Sequence, residues 1–172
     1  MFDGESKTSF TSFRTYFKEL EPYIIISTSL FILAMIAGYI SYGLTPDFSA
    51  ESLSGLEELA EMIQSFSAFE IMLFIFFNNA MKMFASILLG PIFGLVPLVF
   101  LLLNGFVLGV FVNLQIAENG VLFIIAGLTP HGIIEMPMLL ISSAIGIKLG
   151  HETFKIILGR PANLKNEFIK GV

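Results

Sequence analysis

PYIIISTSLFILAMIAGYISYGL, residues 22–44, stands between Glu21 and Asp47 without one charged side chain. A transmembrane helix needs about 20 consecutive apolar residues to cross the hydrocarbon core, and this run meets that length alone. We read Tyr23–Gly43 as a first span. The rest of the chain has the same character. Of its 172 residues 55% are apolar and 13% charged, with a mean hydropathy of +0.85, whereas soluble domains carry roughly a quarter charged residues. The polar shell that a soluble core of this length requires is missing, so the apolar surface must face lipid. The fold class expected is an all-α membrane protein, one domain over residues 1–172.

Three further membrane segments are expected. One covers 68–89, contains Lys82, and ends at the chain-turning pair Gly90-Pro91. The next covers 95–113, with Pro97 in its opening turn. The last, 121–150, is long and carries Thr129-Pro130-His131-Gly132 in its middle. Two readings compete there. Either one tilted helix kinks, or a half-helix ends and a second restarts with Thr129 as N-cap and Pro130 as its first residue. Pro137 adds a bend, because it cannot donate to the Ile133 carbonyl. The expected architecture is thus a bundle of about four transmembrane helices, broken or kinked at Thr129–Gly132.

Orientation follows from charge. Eight of the nine basic residues lie in segment 1–21 (Lys7, Arg14, Lys18) or in segment 151–172 and the turn before it (Lys148, Lys155, Arg160, Lys165, Lys170). Segment 45–67 has none and carries Asp47, Glu51, Glu57, Glu58 and Glu61. The positive-inside rule puts both termini in the cytoplasm and the acidic loop outside, in a cell membrane crossed several times. Leu53, Leu56, Leu59, Ala60 and Ile63 recur at helical spacing in that loop, which suits an amphipathic helix on the interface or a docking surface for a partner. The first twenty residues lack the apolar core of a cleavable signal.

Several function classes lose support. A net charge of −5 disfavours nucleic acid, and a chain with no cysteine has no disulfide, thiolate metal site or cysteine nucleophile. The two histidines, His131 and His151, stand in no HExxH motif, no serine has a credible base, and no glycine loop cradles phosphate. We expect no catalytic residue, no metal and no cofactor.

Polar residues inside the apolar segments are the candidates for function, because an Asp or Lys at the bilayer centre costs about 2.5–3.5 kcal/mol on insertion scales. They are Asn78, Asn79, Lys82, Asn104, His131 and Glu135. At a rise of 1.5 Å per residue, Asn78, Asn79 and Asn104 stand roughly 14–17 Å from the cytoplasmic ends of their spans and Glu135 roughly 20 Å from Lys148. His131 and Glu135 share a helix face at i,i+4 spacing. Lys82, roughly 10 Å deep, can snorkel to the headgroups. The bland reading is an interhelical hydrogen-bond cluster that fixes register. The sharper readings are a small transporter or channel with its site at His131 and Glu135 or, behind it, an intramembrane metalloenzyme. Small residues supply packing faces: Gly105 and Gly109 on the third segment, and Ser142, Gly146 and Gly150 on the fourth, either inside the bundle or in a homo-oligomer.

The segments NNAMKMF (78–84), LNGFVLGVFV (103–112) and LTPHGIIEMP (128–137), the last followed by SSAIGIKLG, resemble the stage II sporulation protein M family. The resemblance runs from the first span onward, and its most specific element is PHGxxE, here Pro130, His131, Gly132 and Glu135. It implies a SpoIIM-like scaffold, without enzymatic activity, that assembles other membrane or cell-envelope proteins, the family's namesake being a membrane component of a complex with wall-degrading enzymes. It assigns no catalytic residue. It also implies a further hydrophobic helix after the basic stretch, so that this chain stops before the family's last helix and the C-terminus of the longer chain lies outside.

Overall fold

The computed structural model describes the backbone of residues 3–45 and 66–171. Among these residues there are five α-helices and no strand: α1 (Asp3–Leu44), α2 (Ala68–Leu88), α3 (Leu95–Asn119), α4 (Val121–Ile157) and α5 (Leu164–Gly171). The amphipathic helix expected between Leu53 and Ile63 lies outside the described residues.

α1 is 42 residues long and carries Pro22 in its interior, so the apolar run Tyr23–Gly43 is its second half. Its first half is held by packing. Tyr16 and Leu20 bury against Ala144, Ile145 and Leu149 of α4, with Phe168 and Leu164 of α5 alongside. That contact offsets the one backbone bond that Pro22 cannot make.

α2 begins at a complete capping box. The Ser67 backbone N–H donates to the Glu70 carboxylate at 2.7 Å, and the Glu70 N–H donates back to the Ser67 hydroxyl at 3.4 Å. The helix ends in a short turn to α3 through Gly90 and Gly94, with Gly94 left-handed at φ 68° and Phe93 forced to φ 54° beside it. Gly94 is the N-cap of α3 and supplies no side-chain bond. Between α3 and α4 stands a single residue, Gly120 at φ 80°, a backbone that other residues rarely adopt.

α4 corrects the expected break. Thr129 to Gly132 is ordinary helical backbone inside an unbroken 37-residue helix, so neither a half-helix nor a restart at Thr129 exists. Pro130 and Pro137 each forfeit one backbone bond. Ending the helix in an apolar surround would strand up to four N–H and four C=O groups, a larger loss, so continuity wins.

Two close crossings hold the bundle. A Cβ added at Gly109 would stand 2.0 Å from the Met35 carbonyl oxygen, and one at Gly105 would stand 2.7 Å from that of Phe31. The reverse holds at Gly38, where a Cβ would lie 2.0 Å from the Phe106 oxygen. One turn on, the Asn113 amide donates to the Tyr39 carbonyl at 2.6 Å and locks the register of α3 on α1. The second crossing sets Gly146 and Gly150 of α4 against Ser86 and the Gly94 turn, where added Cβ atoms would stand 2.4 and 2.1 Å from backbone. Ser142 is buried on the same helix. Both small-residue faces are therefore used within the chain.

Large apolar side chains cover the outside, among them Leu33, Leu103, Leu122 and Ile133, each more than half exposed. Among the described residues two helical stretches, Arg14–Leu44 and Leu95–Asn119, are long and apolar enough to cross a membrane, with mean hydropathies of 2.1 and 2.6. Only 22% and 28% of their most apolar windows are buried. The core helix of a soluble protein would be mostly covered, so these surfaces suit lipid.

Candidate functional site between four helices

Four of the six polar residues expected to meet, Asn79, Lys82, Asn104 and Glu135, are brought together by the two crossings. α1 presents Phe31, α2 Asn79, Lys82 and Met83, α3 Asn104 and Leu108, and α4 Glu135, Met136 and Leu139, all lining a cavity of about 140 Å³. At its wall the Asn79 amide donates to the Glu135 carboxylate, joining α2 to α4. The Asn104 amide donates at 2.6 Å to the Phe100 carbonyl one turn earlier in its own helix. That uses its N–H₂ end as a donor and leaves its carbonyl oxygen, in the same rigid plane, as an acceptor.

Asn79, Lys82, Asn104 and Glu135 thus share one cavity. Asn78 is half-buried and is not among the lining residues. Lys82 lines the cavity and remains exposed, as a snorkelling side chain does. The side chain of His131 lies outside the described residues. The apolar lining, Phe31, Met83, Leu108, Met136 and Leu139, could not have been picked out by residue type, since such side chains occur all along these helices.

A second polar assembly sits at the other end of α4. Lys148, 8% exposed at its side chain, pairs with Glu167 of α5 at 2.5 Å and Glu19 of α1 at 3.1 Å. Its ammonium also stands 4.6 Å from the centre of the Tyr16 ring. Lys170 completes the group at 3.0 Å from Glu167. Glu152 binds Lys155 at 2.5 Å and accepts from the Asn163 N–H at 3.0 Å, closing the loop between α4 and α5. The Tyr23 hydroxyl and the His151 ring share a 2.5 Å hydrogen bond. Burial pushes the Glu167 carboxyl up, but the hydrogen bonds and charges of Lys148 and Lys170 outweigh it and hold it below the ordinary value of 4.5. For Glu152 burial is likewise outweighed, by Lys155 and the Asn163 N–H, with the same downward result. The charge pattern hinted only at the local part of this network, Glu152 and Lys155 at i,i+3.

Residues 27–172 match the family model described as stage II sporulation protein M. No curated protein and no solved structure matches the chain. The match takes in both apolar helices for most of their length, the PHGxxE element and all four walls of the cavity. Together with the two largely uncovered apolar helices it makes this a membrane protein: the chain belongs to the stage II sporulation protein M family.

Proposed function

We propose that this protein is a non-enzymatic, multi-pass scaffold that assembles a complex of the cell envelope. The observation that carries the reading is the family match over residues 27–172. The bundle supports it, because its polar side chains are spent on tying helices together, Asn79 to Glu135 and Asn113 to Tyr39. A rigid bundle presenting an acidic loop is what a platform for other proteins requires.

In this reading α1 to α4 each cross the membrane. α2, with 21 residues, spans about 31 Å at 1.5 Å per residue, and the hydrocarbon core is about 30 Å thick. α4 is longer than one crossing and carries its Lys148–Lys155 end into the cytoplasm, beside the N-terminal half of α1. The acidic segment 45–67 then faces outward, without a lysine or arginine.

Topology is the simplest test. The chain contains no cysteine, so a single one at Ser6 or Ser49 is its sole thiol. An impermeant maleimide applied to intact cells should label Ser49→Cys and spare Ser6→Cys. Labelling of Ser6→Cys alone would invert the orientation.

For the scaffold role, the test is crosslinking in native membranes from photoreactive residues placed in segment 45–67. The expected product is a reproducible one-to-one adduct with an envelope protein, unchanged in a Glu135→Gln background. Crosslinks to lipid and to the chain itself alone would remove the scaffold reading.

A further inference from the structure

The last two turns of α4 project an apolar face past the turn against which the helix packs. We infer that this face binds one anionic phospholipid of the cytoplasmic leaflet, with an acyl chain along Phe154 and Ile157 and the headgroup phosphate against Arg160 and Lys165. The inference rests on the orientation proposed above, with this end of α4 on the cytoplasmic side, and not on the scaffold role.

Three observations converge. The first is geometry. Added Cβ atoms at Gly146 and Gly150 would meet Ser86 and the backbone of Phe93 and Gly94, so this side of α4 faces the turn between α2 and α3. Phe154 and Ile157 continue the same stripe, four and seven residues after Gly150. They lie beyond the turn, and Phe154 is 52% and Ile157 62% exposed. The second is continuity with lipid. Ile92 and Phe93, on the turn itself, are about half exposed, and no charged residue occurs from Met83 to Ala117. The lipid-facing surface of α2 and α3 therefore runs onto the end of α4 without a charged break. With the turn at the hydrocarbon boundary, Phe154 stands about 6 Å past it, within a headgroup layer of roughly 5–8 Å.

The third is charge. Lys148, Lys155 and Lys170 are neutralised by Glu19, Glu152 and Glu167. Arg160 and Lys165 are exposed and, among the described residues, stand in no ion pair. A Schellman turn sets Arg160 directly after the apolar tip: Gly159 takes φ 66°, its N–H donates to the Ile156 carbonyl at 3.0 Å, and the Arg160 N–H donates to the Lys155 carbonyl at 2.9 Å. On α5 Glu167 and Phe168 turn inward, which leaves Lys165 and Ile169 exposed on the other side. An apolar face edged by two unneutralised cations complements a molecule with both acyl chains and a negative headgroup. A soluble protein would have to enter the headgroup layer to reach Phe154, whereas the lipid is already there.

The chain contains no tryptophan, so Phe154→Trp places a sole indole on the face. The full chain carrying it is reconstituted in phosphatidylcholine vesicles, and quenching by phosphatidylglycerol and by phosphatidylcholine with the same brominated acyl chains is compared. Phosphatidylglycerol should be preferred at this indole about fivefold or more, the usual effect of one Lys or Arg at an anionic membrane surface. Leu103→Trp, on an exposed side of α3, should be quenched equally by both lipids. Arg160→Gln and Lys165→Gln together should bring the preference at Phe154→Trp to unity, while Arg14→Gln, which removes an exposed cation of α1, should leave it unchanged. Should Phe154→Trp not fold, Ile157→Trp takes its place with the same expectations. Equal quenching by both lipids, a preference that survives the double substitution, or one erased by inorganic phosphate would overturn the proposal. Quenching by neither lipid would also overturn it and assign the face to a protein or a second copy of the chain. Vesicles offer lipid to this face whichever way the chain inserts, so an error in orientation, read from the labels at Ser6 and Ser49, shows separately.

Discussion

Gly109→Leu should leave almost no folded protein, while Gly132→Ala, in the neighbouring helix, should be neutral or stabilising. At Gly109 the Cβ alone would stand 2.0 Å from the Met35 carbonyl oxygen and 2.8 Å from the Tyr39 nitrogen. Both are backbone atoms of α1, so no side chain can swing aside. The helices must part instead, and parting also opens the contacts of Gly105, Gly38 and the Asn113–Tyr39 bond along the same stripe. Lipid gives the separated helices no hydrophobic reason to return. A loss of about 3 kcal/mol or more follows, at the upper end for overpacking. At Gly132 nothing among the described residues lies within 4 Å of an added Cβ, and the backbone is helical. Alanine there gains helix propensity worth up to about 1 kcal/mol. Thermal midpoint and monodisperse yield in detergent check both. Wild-type behaviour of Gly109→Leu would mean that α1 and α3 do not cross there, and a strongly destabilised Gly132→Ala would reopen the question of a turn at that residue.

The contrast between these two glycines shows what could be read without coordinates. Spacing of small residues marked Gly105, Gly109, Gly146 and Gly150 as contact points, but periodicity carries no partner. Gly38 and Gly94, on the other side of those contacts, are as necessary and announced nothing, and Gly90 was legible as a turn but not as a contact. Apolar runs placed the helices along the chain, with the starts at Ala68 and Leu95, but missed the outer ends of α1 and α4, since charge changes sharply at Glu21 while backbone hydrogen bonding does not. α1 therefore reaches back to Asp3 and α4 on to Ile157. At Thr129 a local signal misled. A threonine followed by proline reads as a helix start by the same rule that correctly favours Ser67 before α2, but Ser67 has Glu70 to complete its box and Thr129 has Gly132 at that position.

The candidate site was legible in part, because polar residues in an apolar segment stand out by cost. Depth counting grouped Asn79, Asn104 and Glu135, and one cavity holds all three. Counting could not rank Asn79 over Asn78, since adjacent residues point about 100° apart on a helix and only the crossing of α2 on α4 decides which one faces inward. The charged network at Lys148 was illegible for a different reason. Its pairing with Glu19 joins residues 129 apart in the chain, and each member alone looks like an ordinary cytoplasmic flank.

Lys148→Met tests that network and should be the most damaging single change outside the helix crossings. Methionine keeps most of the stem that passes Tyr16 but deletes the ammonium between Glu167 and Glu19. Glu19 is 44% exposed and can turn to water, whereas Glu167 is 10% exposed and cannot. Removing one partner of a buried pair leaves an uncompensated charge and costs about 3 kcal/mol. Lys170, exposed and 3.0 Å from Glu167, compensates in part. α5 should then detach from the Tyr16–Leu149 core, exposing Phe168 to proteolysis near the C-terminus. The acid response separates loss of the charge pair from a general loss of packing. In the wild-type protein the Glu167 carboxyl is held below 4.5, so its contribution is complete above that pH and fades as the pH falls below it. In Lys148→Met the unpaired carboxylate is itself the destabilising group, and protonating it relieves the defect. The gap in midpoint between the two proteins should accordingly narrow on acidification, starting above the ordinary value of 4.5 as the variant's carboxylate protonates and continuing below it as the wild-type pair is lost. Glu167→Gln added to Lys148→Met should recover most of the neutral-pH loss. A gap that stays constant with pH and a double variant no better than the single one would assign the loss to packing of the lysine stem, and α5 would then be held by Leu164 and Phe168 rather than by charge.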